Sequence, residues 1–389
     1  MADPFTTLLI VIGAGLAAVF GFYVALFALA AIPSIQKHLL YVHKANTLLW
    51  DDVNKPEKWG FARNQVTPFK LATPDGESIY AWHILPLPLY AKHEESISSS
   101  REPGLCEDVE RTKPFHLLKE DPNAKVIIFL HGNAGHIAQG WRADTYHTFT
   151  DTTSYHGIAI DYRGFGHSTG TPSEKGLILD AMTVVDWVIN VAGVPPERIV
   201  LFGQSLGTAV ASGVAEACVD DGIELAGVVL VAGFSSLPAM LSGYRISGLV
   251  PILGPLRWVP FMPQILDAFV CEKWSSADRL ARTVQRTKSR LRLSLVHAKN
   301  DKDIPCIESD RLFNAAAIAS IQAEPDISEF EVRKKEATRD RGEGAFMRKW
   351  TAEPNTIICH EQFSHGGHNQ IMGHAPALLA VLRSFEEDR

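Results

Sequence analysis

The sequence has little basic charge and few cysteines, and both shortages exclude classes of protein. Its 389 residues include 37 Lys and Arg against 44 Asp and Glu, a formal net charge of -7, with no long basic stretch. This balance argues against a nucleic-acid partner. The five cysteines are scattered and odd in number, and no pair has the spacing of zinc ligands. We therefore predict neither a disulfide framework nor a structural zinc site.

Charge is also missing near the amino terminus. No Asp, Glu, Lys or Arg lies between Asp3 and Lys37, and residues 8–32 are apolar throughout. At about 1.5 Å per residue, a helix of this length can cross a hydrocarbon core of about 30 Å. We predict a tail over residues 1–7, a transmembrane helix over 8–32 and a juxtamembrane linker over 33–65.

The residues that follow the apolar segment give two further expectations. The nearby lysines and arginines all lie on its carboxyl side, which by the positive-inside rule points the following domain toward the cytosol. Residues 35–50 are expected to form a second helix. This helix either lies on the membrane surface or connects the anchor to the domain and packs on it.

From residue 66 onward, apolar runs alternate with helical patterns. VTPFKLATPDGESIYAWHILP predicts two strands joined at a Pro-Asp-Gly turn. Parallel strands buried on both faces are predicted for KVIIFLHG, GIAIDYRG, RIVLFGQS, GVVLVAG, LRLSLVHA and NTIICHE. Predicted helices cover 171–190, capped by Thr171, Pro172 and Glu174, then Leu206 to about Val219, and 374–388. The alternation predicts an α/β fold with a mostly parallel, doubly wound sheet over 66–389.

Three stretches interrupt this alternation. Residues 87–124 are polar and predict a surface loop, and the charge-rich residues 323–354 predict a solvated insertion without chemistry. Residues 237–275, called the cap segment below, are apolar but broken by prolines, and predict a cap insertion. Its apolar residues either line an acyl-chain channel, contact the bilayer or pack the cap on the sheet: Met240, Leu241, Leu249, Val250, Ile252, Leu253, Trp258, Phe261 and Met262. Arg245 or Arg257 are candidates to meet a lipid phosphate.

The segment GQSLG places Ser205 between two glycines, after an apolar run and before a helical pattern. A serine hydroxyl is a weak nucleophile unless a base accepts its proton and an acid orients that base. Small flanking residues suit the crowded strand-to-helix turn on which a nucleophilic serine is exposed. Ser205 is therefore the predicted nucleophile, and an ordinary strand–turn–helix connection is the alternative.

An oxyanion hole requires two backbone donors. The first is predicted to be the amide of Leu206, directly after the nucleophile. The second is predicted to be the backbone N–H of Asn133, in the loop FLHGNAGH, with its side chain bracing the loop. His131 in the same loop is expected to hold the loop shape.

The acid and the base are expected on later strand ends, in that order. Asp301 is the predicted acid, with Asp303 on the same turn as the alternative. His368 is the predicted base, with His365 as the alternative, and His374 is expected to cap the final helix. A metal site is a less favoured interpretation of one set of histidines: His360, His365, His368 and His374.

These segments resemble the membrane-anchored alpha/beta-hydrolase-domain lipases, in the branch of monoacylglycerol and lysophosphatidylserine lipases. The similarity runs from about residue 70 to 375 and is carried by DGESIYAWHILP, FLHGNAGH, DYRGFGHSTGTPSEKGLILDAMTVVDWV and GQSLGTAVA. The resemblance implies a single membrane helix, a nucleophile at Ser205, an acid at Asp301 and a base at His368. The resemblance also implies a catalytic domain of the kind that often faces the lumen or exterior, whereas the positive-inside rule points the domain toward the cytosol. The side of the membrane therefore stays open.

Together these observations predict a membrane-anchored serine hydrolase that cleaves lipid carboxylic esters without a cofactor or metal. The expected partners are a lipid ester substrate and a membrane, with the endoplasmic reticulum as the expected location. Two other interpretations keep the same residues. One is a thioesterase or amidase with the same triad, and the other is a non-catalytic membrane binding protein on this fold.

Overall fold

The computed structural model describes residues 3–100, 102–246, 249–254, 260–321 and 326–386. Its strands are β1 (Val66–Ala72), β2 (Ser78–Ile84), β3 (Val126–Leu130), β4 (His156–Ile160), β5 (Ile199–Gln204), β6 (Gly227–Val231), β7 (Arg245–Ile246), β8 (Val250–Pro251), β9 (Leu291–Ala298), β10 (Thr338–Gly342), β11 (Ala345–Ala352) and β12 (Thr356–Phe363). Its α-helices are α1 (Pro4–Ala30), α2 (Pro33–Tyr41), α3 (Leu87–Ser98), α4 (Lys113–Lys119), α5 (Arg142–Thr150), α6 (Glu174–Asp186), α7 (Leu206–Asp220), α8 (Leu237–Gly243), α9 (Met262–Phe269), α10 (Ser276–Arg286), α11 (Ile307–Ala319), α12 (Ile327–Glu336) and α13 (Ala375–Ser384).

Ten strands form one sheet in the order β1-β2-β4-β3-β5-β6-β9-β12-β11-β10, and β7 pairs with β8 in a separate hairpin. The six central strands run parallel, while the pairs at both edges are antiparallel. Every residue of β3, β4, β5, β6 and β9 is buried, as expected for parallel strands covered by helices on both faces. The predicted α/β fold with a mostly parallel sheet is confirmed.

This topology places four strand ends side by side. In the order β3-β5-β6-β9-β12, the chain leaves β3 at Leu130, β5 at Gln204, β9 at Ala298 and β12 at Phe363. In open parallel sheets, ligands bind at the carboxyl ends of such strands. The loops that follow these four strands are the loops that carry the predicted site residues.

Helix α1 contains the apolar segment and is, among the described residues, the helix long and apolar enough to cross a membrane. None of its side chains is buried. It begins at Pro4, before the start of the predicted span 8–32, and ends at Ala30, before the end of that span. The end is explained by Pro33, because the residue before a proline is disfavoured in a helix, and Ile32 is extended.

The prediction of a surface loop over 87–124 is wrong. The segment contains α3 and α4, whose inner faces bury Tyr90, Ile97, Phe115 and Leu118. These apolar residues are widely spaced among charged ones, so the polar average of the segment hid two short amphipathic helices.

The prediction of a solvated insertion over 323–354 is also wrong. Beyond residues 322–325, which lie outside the described residues, the segment forms α12 and the hairpin β10–β11, which extends the main sheet. Trp350 is fully buried against Phe313 and Phe330, and the Arg333 guanidinium lies 3.9 Å from its ring centroid. The outer strand β10 is exposed and charged, which suits an edge strand that must not pair with other chains.

The predicted capping arrangement of helix 171–190 is wrong in its position. Helix α6 begins at Glu174, and its N-cap is Ser173, whose Oγ accepts a hydrogen bond from the Gly176 amide. Glu174 cannot complete a capping box because it directly follows the N-cap, whereas a capping box needs the third helical residue. Its carboxylate instead accepts hydrogen bonds from Arg279 and from the Trp274 amide. The helix predicted from Leu206 is confirmed as α7.

The last helix, predicted over 374–388, begins at Ala375 and ends at Ser384, and residues 387–389 lie outside the described residues. His374 occupies its N-cap position, but its side chain makes no capping hydrogen bond. The expectation that His374 caps this helix is therefore confirmed in position, without a contribution from its side chain.

Candidate active site

Ser205 lies on a strained turn between β5 and α7. Its φ of 53° is in a region that residues with a side chain rarely adopt, and such strain is concentrated at functional sites. The neighbouring glycines are required by close packing. A Cβ at Gly203 would overlap the Gly207 carbonyl oxygen, and one at Gly207 would overlap the Leu130 carbonyl oxygen. The two glycines thus allow the serine to stand at the end of β5.

The structure brings Ser205, His368 and Asp301 into one hydrogen-bonded chain. His368 Nε2 lies 2.9 Å from Ser205 Oγ, and His368 Nδ1 lies 2.8 Å from Asp301 Oδ2. With Asp301 ionised, Nδ1 must donate its hydrogen, which leaves Nε2 of the neutral ring free to accept the serine proton. This tautomer is the one that a general base for Ser205 requires.

The environment of Asp301 keeps its carboxyl group ionised. Burial works to raise the pKa of Asp301, but hydrogen bonds from His297 and His368 outweigh burial and hold this pKa below its ordinary value. The second oxygen, Oδ1, accepts the backbone amides of Asp303 and Ile304, each at 2.9 Å. Asp301 is therefore a fixed anion behind the imidazole.

The alternatives for the acid and the base do not share this geometry. Asp303 lies close to Asp301 and His368, with ligand atoms within 4.8 Å of one another, but the hydrogen bond of His368 goes to Asp301. His365 is exposed and lies 3.8 Å from Glu343.

The four histidines that were considered for a metal site do not converge. His360 is fully buried, 3.1 Å from Arg348 and stacked on Phe313, whereas His365 is exposed. Within the described part of the chain, the group with metal-ligand spacing is Asp301, Asp303 and His368. Two of its members belong to the hydrogen-bonded chain on Ser205.

The loop after β3 is shaped by a buried arginine. Arg142, at the start of α5, donates hydrogen bonds of 2.8–2.9 Å to three carbonyls in a row, at Gly132, Asn133 and Ala134, and a further bond to His136. Because the carbonyls face the guanidinium, the loop amides are free to face elsewhere. Within the described residues, neither Asn133 nor Leu206 donates its amide to a backbone carbonyl of a loop or cap.

Helix α2 and the residues after it pack directly on this loop. The Ala134 amide donates to the Tyr41 carbonyl at 3.2 Å, the Gly135 amide donates to Ala45 at 3.1 Å, and the Asn133 side chain donates to Leu40. Tyr41 is fully buried and packs against Phe165. The helix expected over residues 35–50 ends at Tyr41, and its contacts with the loop support the alternative that packs on the domain.

His131 is structural, as expected. It is buried between Tyr162 and Phe165, and its Nδ1 lies 2.7 Å from the Gly132 carbonyl oxygen. Burial, followed by the nearby Arg142 charge, holds the pKa of His131 well below its ordinary value. A neutral His131 can donate from Nδ1 to this carbonyl and support the first turn of the loop.

The apolar residues of the cap segment divide into two sets. Met240, Leu253 and Met262 are buried in the core, whereas Leu249 and Phe261 are exposed. Arg257 and Trp258 lie outside the described residues. The cap reaches the acid-bearing loop at Arg245, whose amide lies 3.5 Å from the Asp303 carbonyl oxygen.

Four polar residues around the site were missed from the sequence. His297 Nε2 lies 3.2 Å from Asp301 Oδ2, and Asn300 Oδ1 accepts the Gly367 amide at 2.8 Å. Gln204 donates to the His368 carbonyl at 3.3 Å. Arg142 is the fourth. Each except Arg142 lies at the end of a predicted strand, next to a predicted site residue, and this position was the available signal.

Comparison with known proteins gives the relationships of the chain. A model of the alpha/beta hydrolase family matches residues 127–380. The lysophosphatidylserine lipase ABHD12 of Rattus norvegicus is 26% identical over 300 residues, covering 77% of this chain and 68% of that protein. Protein ABHD12B of Homo sapiens is 31% identical over 192 residues, 49% of each chain. The crystal structure of an alpha-beta hydrolase from Vibrio vulnificus shares the fold, with a TM-score of 0.56 and 16% identity over 89% of this chain and 91% of that chain.

Proposed function

The chain belongs to the alpha/beta hydrolase family, and we propose that it is a membrane-anchored serine hydrolase of lipid carboxylic esters, of the monoacylglycerol or lysophospholipid type. The observation that carries the proposal is the unbroken contact from Ser205 Oγ through His368 to Asp301. The lipid substrate is supported by the related lysophosphatidylserine lipases, and the membrane by the apolar helix α1. We propose the endoplasmic reticulum as its membrane.

The reaction follows from the order of these contacts. His368 Nε2 accepts the Ser205 proton as Oγ attacks the ester carbonyl carbon, and Asp301 stabilises the imidazolium that forms. The Leu206 and Asn133 amides receive the developing oxyanion. His368 then protonates the leaving alcohol, which departs as the acyl-enzyme forms. Water, activated by the same imidazole, releases the carboxylic acid and restores Ser205.

The first test is covalent labelling of the detergent-solubilised full chain with a fluorophosphonate. We expect the wild type to be labelled and Ser205→Ala to be unlabelled, because only an activated serine hydroxyl reacts. Asp301→Asn should slow hydrolysis of a short soluble ester by roughly four orders of magnitude, and His368→Gln by roughly six, as loss of the acid or the base does elsewhere.

The chain supplies matched controls for these variants. Asp303→Asn changes the neighbouring carboxylate, and His365→Gln changes the neighbouring histidine, so both should keep activity within a few-fold. An absence of labelling in folded wild-type protein would contradict the hydrolase proposal. Equal losses in Asp301→Asn and Asp303→Asn would contradict the assignment of the acid.

Substrate class is tested separately in mixed micelles. We expect release of fatty acid from monoacylglycerol or lysophosphatidylserine to exceed cleavage of an acyl-cysteine thioester. A preference for the thioester would move the proposal to protein deacylation with the same triad.

A further inference from the structure

Four hydrogen bonds join the cap segment to α1 and to α2, which follows it. The Tyr23 hydroxyl in α1 donates to the carbonyls of Leu253 and of Ile252, the latter at 3.3 Å. Gln36, just after α1, donates to the Phe269 carbonyl at 3.1 Å and accepts the Cys271 amide at 2.6 Å. The cap is thus bonded at two levels, to α1 at Tyr23 and to α2 at Gln36.

These levels fix where the cap lies relative to a bilayer. At about 1.5 Å per residue, the 27 residues of α1 are about 40 Å long, close to the thickness of a bilayer with its headgroup layers. Tyr23 lies seven residues before Ala30, which is about 10 Å from the carboxyl end of the helix. With α1 across the membrane, the cap turn at 252–254 therefore lies at the inner edge of the headgroup layer, where the hydrocarbon core begins.

The surface that the cap presents beside α1 suits that layer. Phe261, Ile265 and Phe269 follow one another at intervals of four residues, so they share one face of α9, and they are 68%, 41% and 58% exposed. The adjoining face, with Met262 and Leu266, is buried in the core. Leu249, at the tip of the β7–β8 hairpin, is 77% exposed. An exposed apolar face of this kind has to be covered by another apolar surface.

We propose that the apolar face of the cap segment, formed by Leu249, Phe261, Ile265 and Phe269, inserts into the lipid layer beside α1. The inference rests on the proposed membrane anchoring. It adds that the cap delivers substrate from the membrane plane, because the same hairpin contacts the loop of Asp301 through Arg245 and Asp303. A lipid ester then reaches Ser205 without leaving the bilayer surface.

Depth-dependent quenching tests the position of the cap in the full chain. The background carries Cys106→Ser, Cys271→Ser and Cys306→Ser, and it must still react with fluorophosphonate. A nitrobenzoxadiazole label is placed at Ile265→Cys or Phe269→Cys, and the protein is reconstituted in phosphatidylcholine vesicles with or without doxyl-labelled lipid. Leu16→Cys in α1 and Val332→Cys on α12, which is 58% exposed, are the membrane and solvent controls.

We expect the emission of both cap labels to shift to the blue and to be quenched by doxyl-labelled lipid. The label at Leu16→Cys should respond in the same way, and the label at Val332→Cys should not respond. Quenching at Leu16 without quenching at either cap position would overturn the inference and leave the membrane anchor intact. No quenching at Leu16 would overturn the anchor and the cap inference together, whereas the hydrolase activity is scored independently by labelling of Ser205.

Activity provides a second measurement. Ile265→Asp combined with Phe269→Asp should reduce hydrolysis of monoacylglycerol in vesicles by roughly tenfold or more, the scale for removing one large apolar side chain from lipid. Hydrolysis of a short soluble ester should stay unchanged, and Val332→Asp should affect neither. Equal losses on both substrates, or no loss on vesicles, would each overturn the inference.

Discussion

At the scale of single residues, His297 is the least expected part of the site. Its Nε2 faces two acceptors, Asp301 Oδ2 at 3.2 Å and the Ile304 carbonyl at 3.1 Å, so this nitrogen carries a hydrogen. Its Nδ1 lies 2.6 Å from the Ser309 hydroxyl, which can donate to it. His297 is therefore a positioning residue. Its hydrogen bond fixes the Asp301 carboxylate and reduces the negative charge that this carboxylate presents to its other partners.

We predict that His297→Ala lowers kcat/KM for a soluble ester roughly tenfold, the scale of a hydrogen bond to a charged group. Without this donor, Asp301 becomes more basic and holds the His368 proton more firmly. The acid limb of the pH profile of kcat/KM should therefore move to higher pH. His297→Gln, which keeps a donor, should restore both the rate and the limb. A lower rate with an unchanged pH profile would show that His297 acts only on folding.

The sequence predicted which strand ends carry the site residues, but it predicted less well how their side chains are arranged. Strand ends predicted where Ser205, Asp301 and His368 lie, and the structure brings the three together. No pattern separates Asp301 from Asp303, since the two lie on one turn and their directions depend on its backbone. The catalytic roles of the three residues, and the oxyanion roles of Leu206 and Asn133, stay predictions.

At the scale of elements, the contact between α2 and the loop after β3 links α1 to the site. The side chain of Asn133 donates to the Leu40 carbonyl, while its backbone amide is one of the two proposed oxyanion donors. A movement of α2 would therefore move the loop that carries this amide.

We predict that Asn133→Ala slows fluorophosphonate labelling about fivefold, because one neutral hydrogen bond contributes about 1 kcal/mol. The backbone amide itself is retained, so the loss measures only how firmly the loop is held. Asn123→Ala, in the exposed turn before β3, is the matched control and should label at the wild-type rate. Equal rates for Asn133→Ala and wild type would mean that Arg142 and the backbone bonds of Ala134 and Gly135 hold the loop without this side chain.

Elements were predicted well where burial is uniform and poorly where polar and apolar residues mix. Strands such as β3 are apolar along their whole length, so the pattern is clear. In β11, Arg348 is buried because it pairs with Asp310 at 2.9 Å and lies against Phe313 and Phe346. A buried, paired arginine has the same sequence signal as an exposed one, and the strand was missed for this reason.

At the scale of the whole molecule, buried titratable groups couple stability to pH. Burial holds the pKa below its ordinary value in a set of buried histidines: His43, His83, His131, His136, His156 and His360. In the unfolded chain these groups titrate near pH 6.5, so below that pH each takes up a proton on unfolding. Two carboxyls act in the opposite direction, since burial raises the pKa of Asp161 to about 7 and of Asp180 to about 6.

The balance gives the sign of the effect. Between about pH 6 and pH 4.5, these histidines gain protons on unfolding and the two carboxyls lose them, and the histidines outnumber the carboxyls. The free energy of unfolding should therefore fall as the pH falls, by about 1.4 kcal/mol per pH unit for each proton of net uptake. The division of the chain into a tail, a membrane helix, a linker and a hydrolase domain stays a prediction.

The prediction is tested by thermal unfolding of the detergent-solubilised full chain across this pH range. The midpoint temperature should decrease steadily as the pH is lowered from 6 to 4.5.

His156→Gln should make the decrease shallower, because burial lowers the pKa of His156 to about 3 and the variant removes that proton from the balance. A glutamine can still bond to His83, whose Nε2 lies 3.1 Å from His156 Nδ1. His365→Gln, at an exposed histidine, should leave the slope unchanged. Identical slopes for wild type and His156→Gln would mean that the acid sensitivity arises elsewhere, in the carboxylates that lose their charge at lower pH.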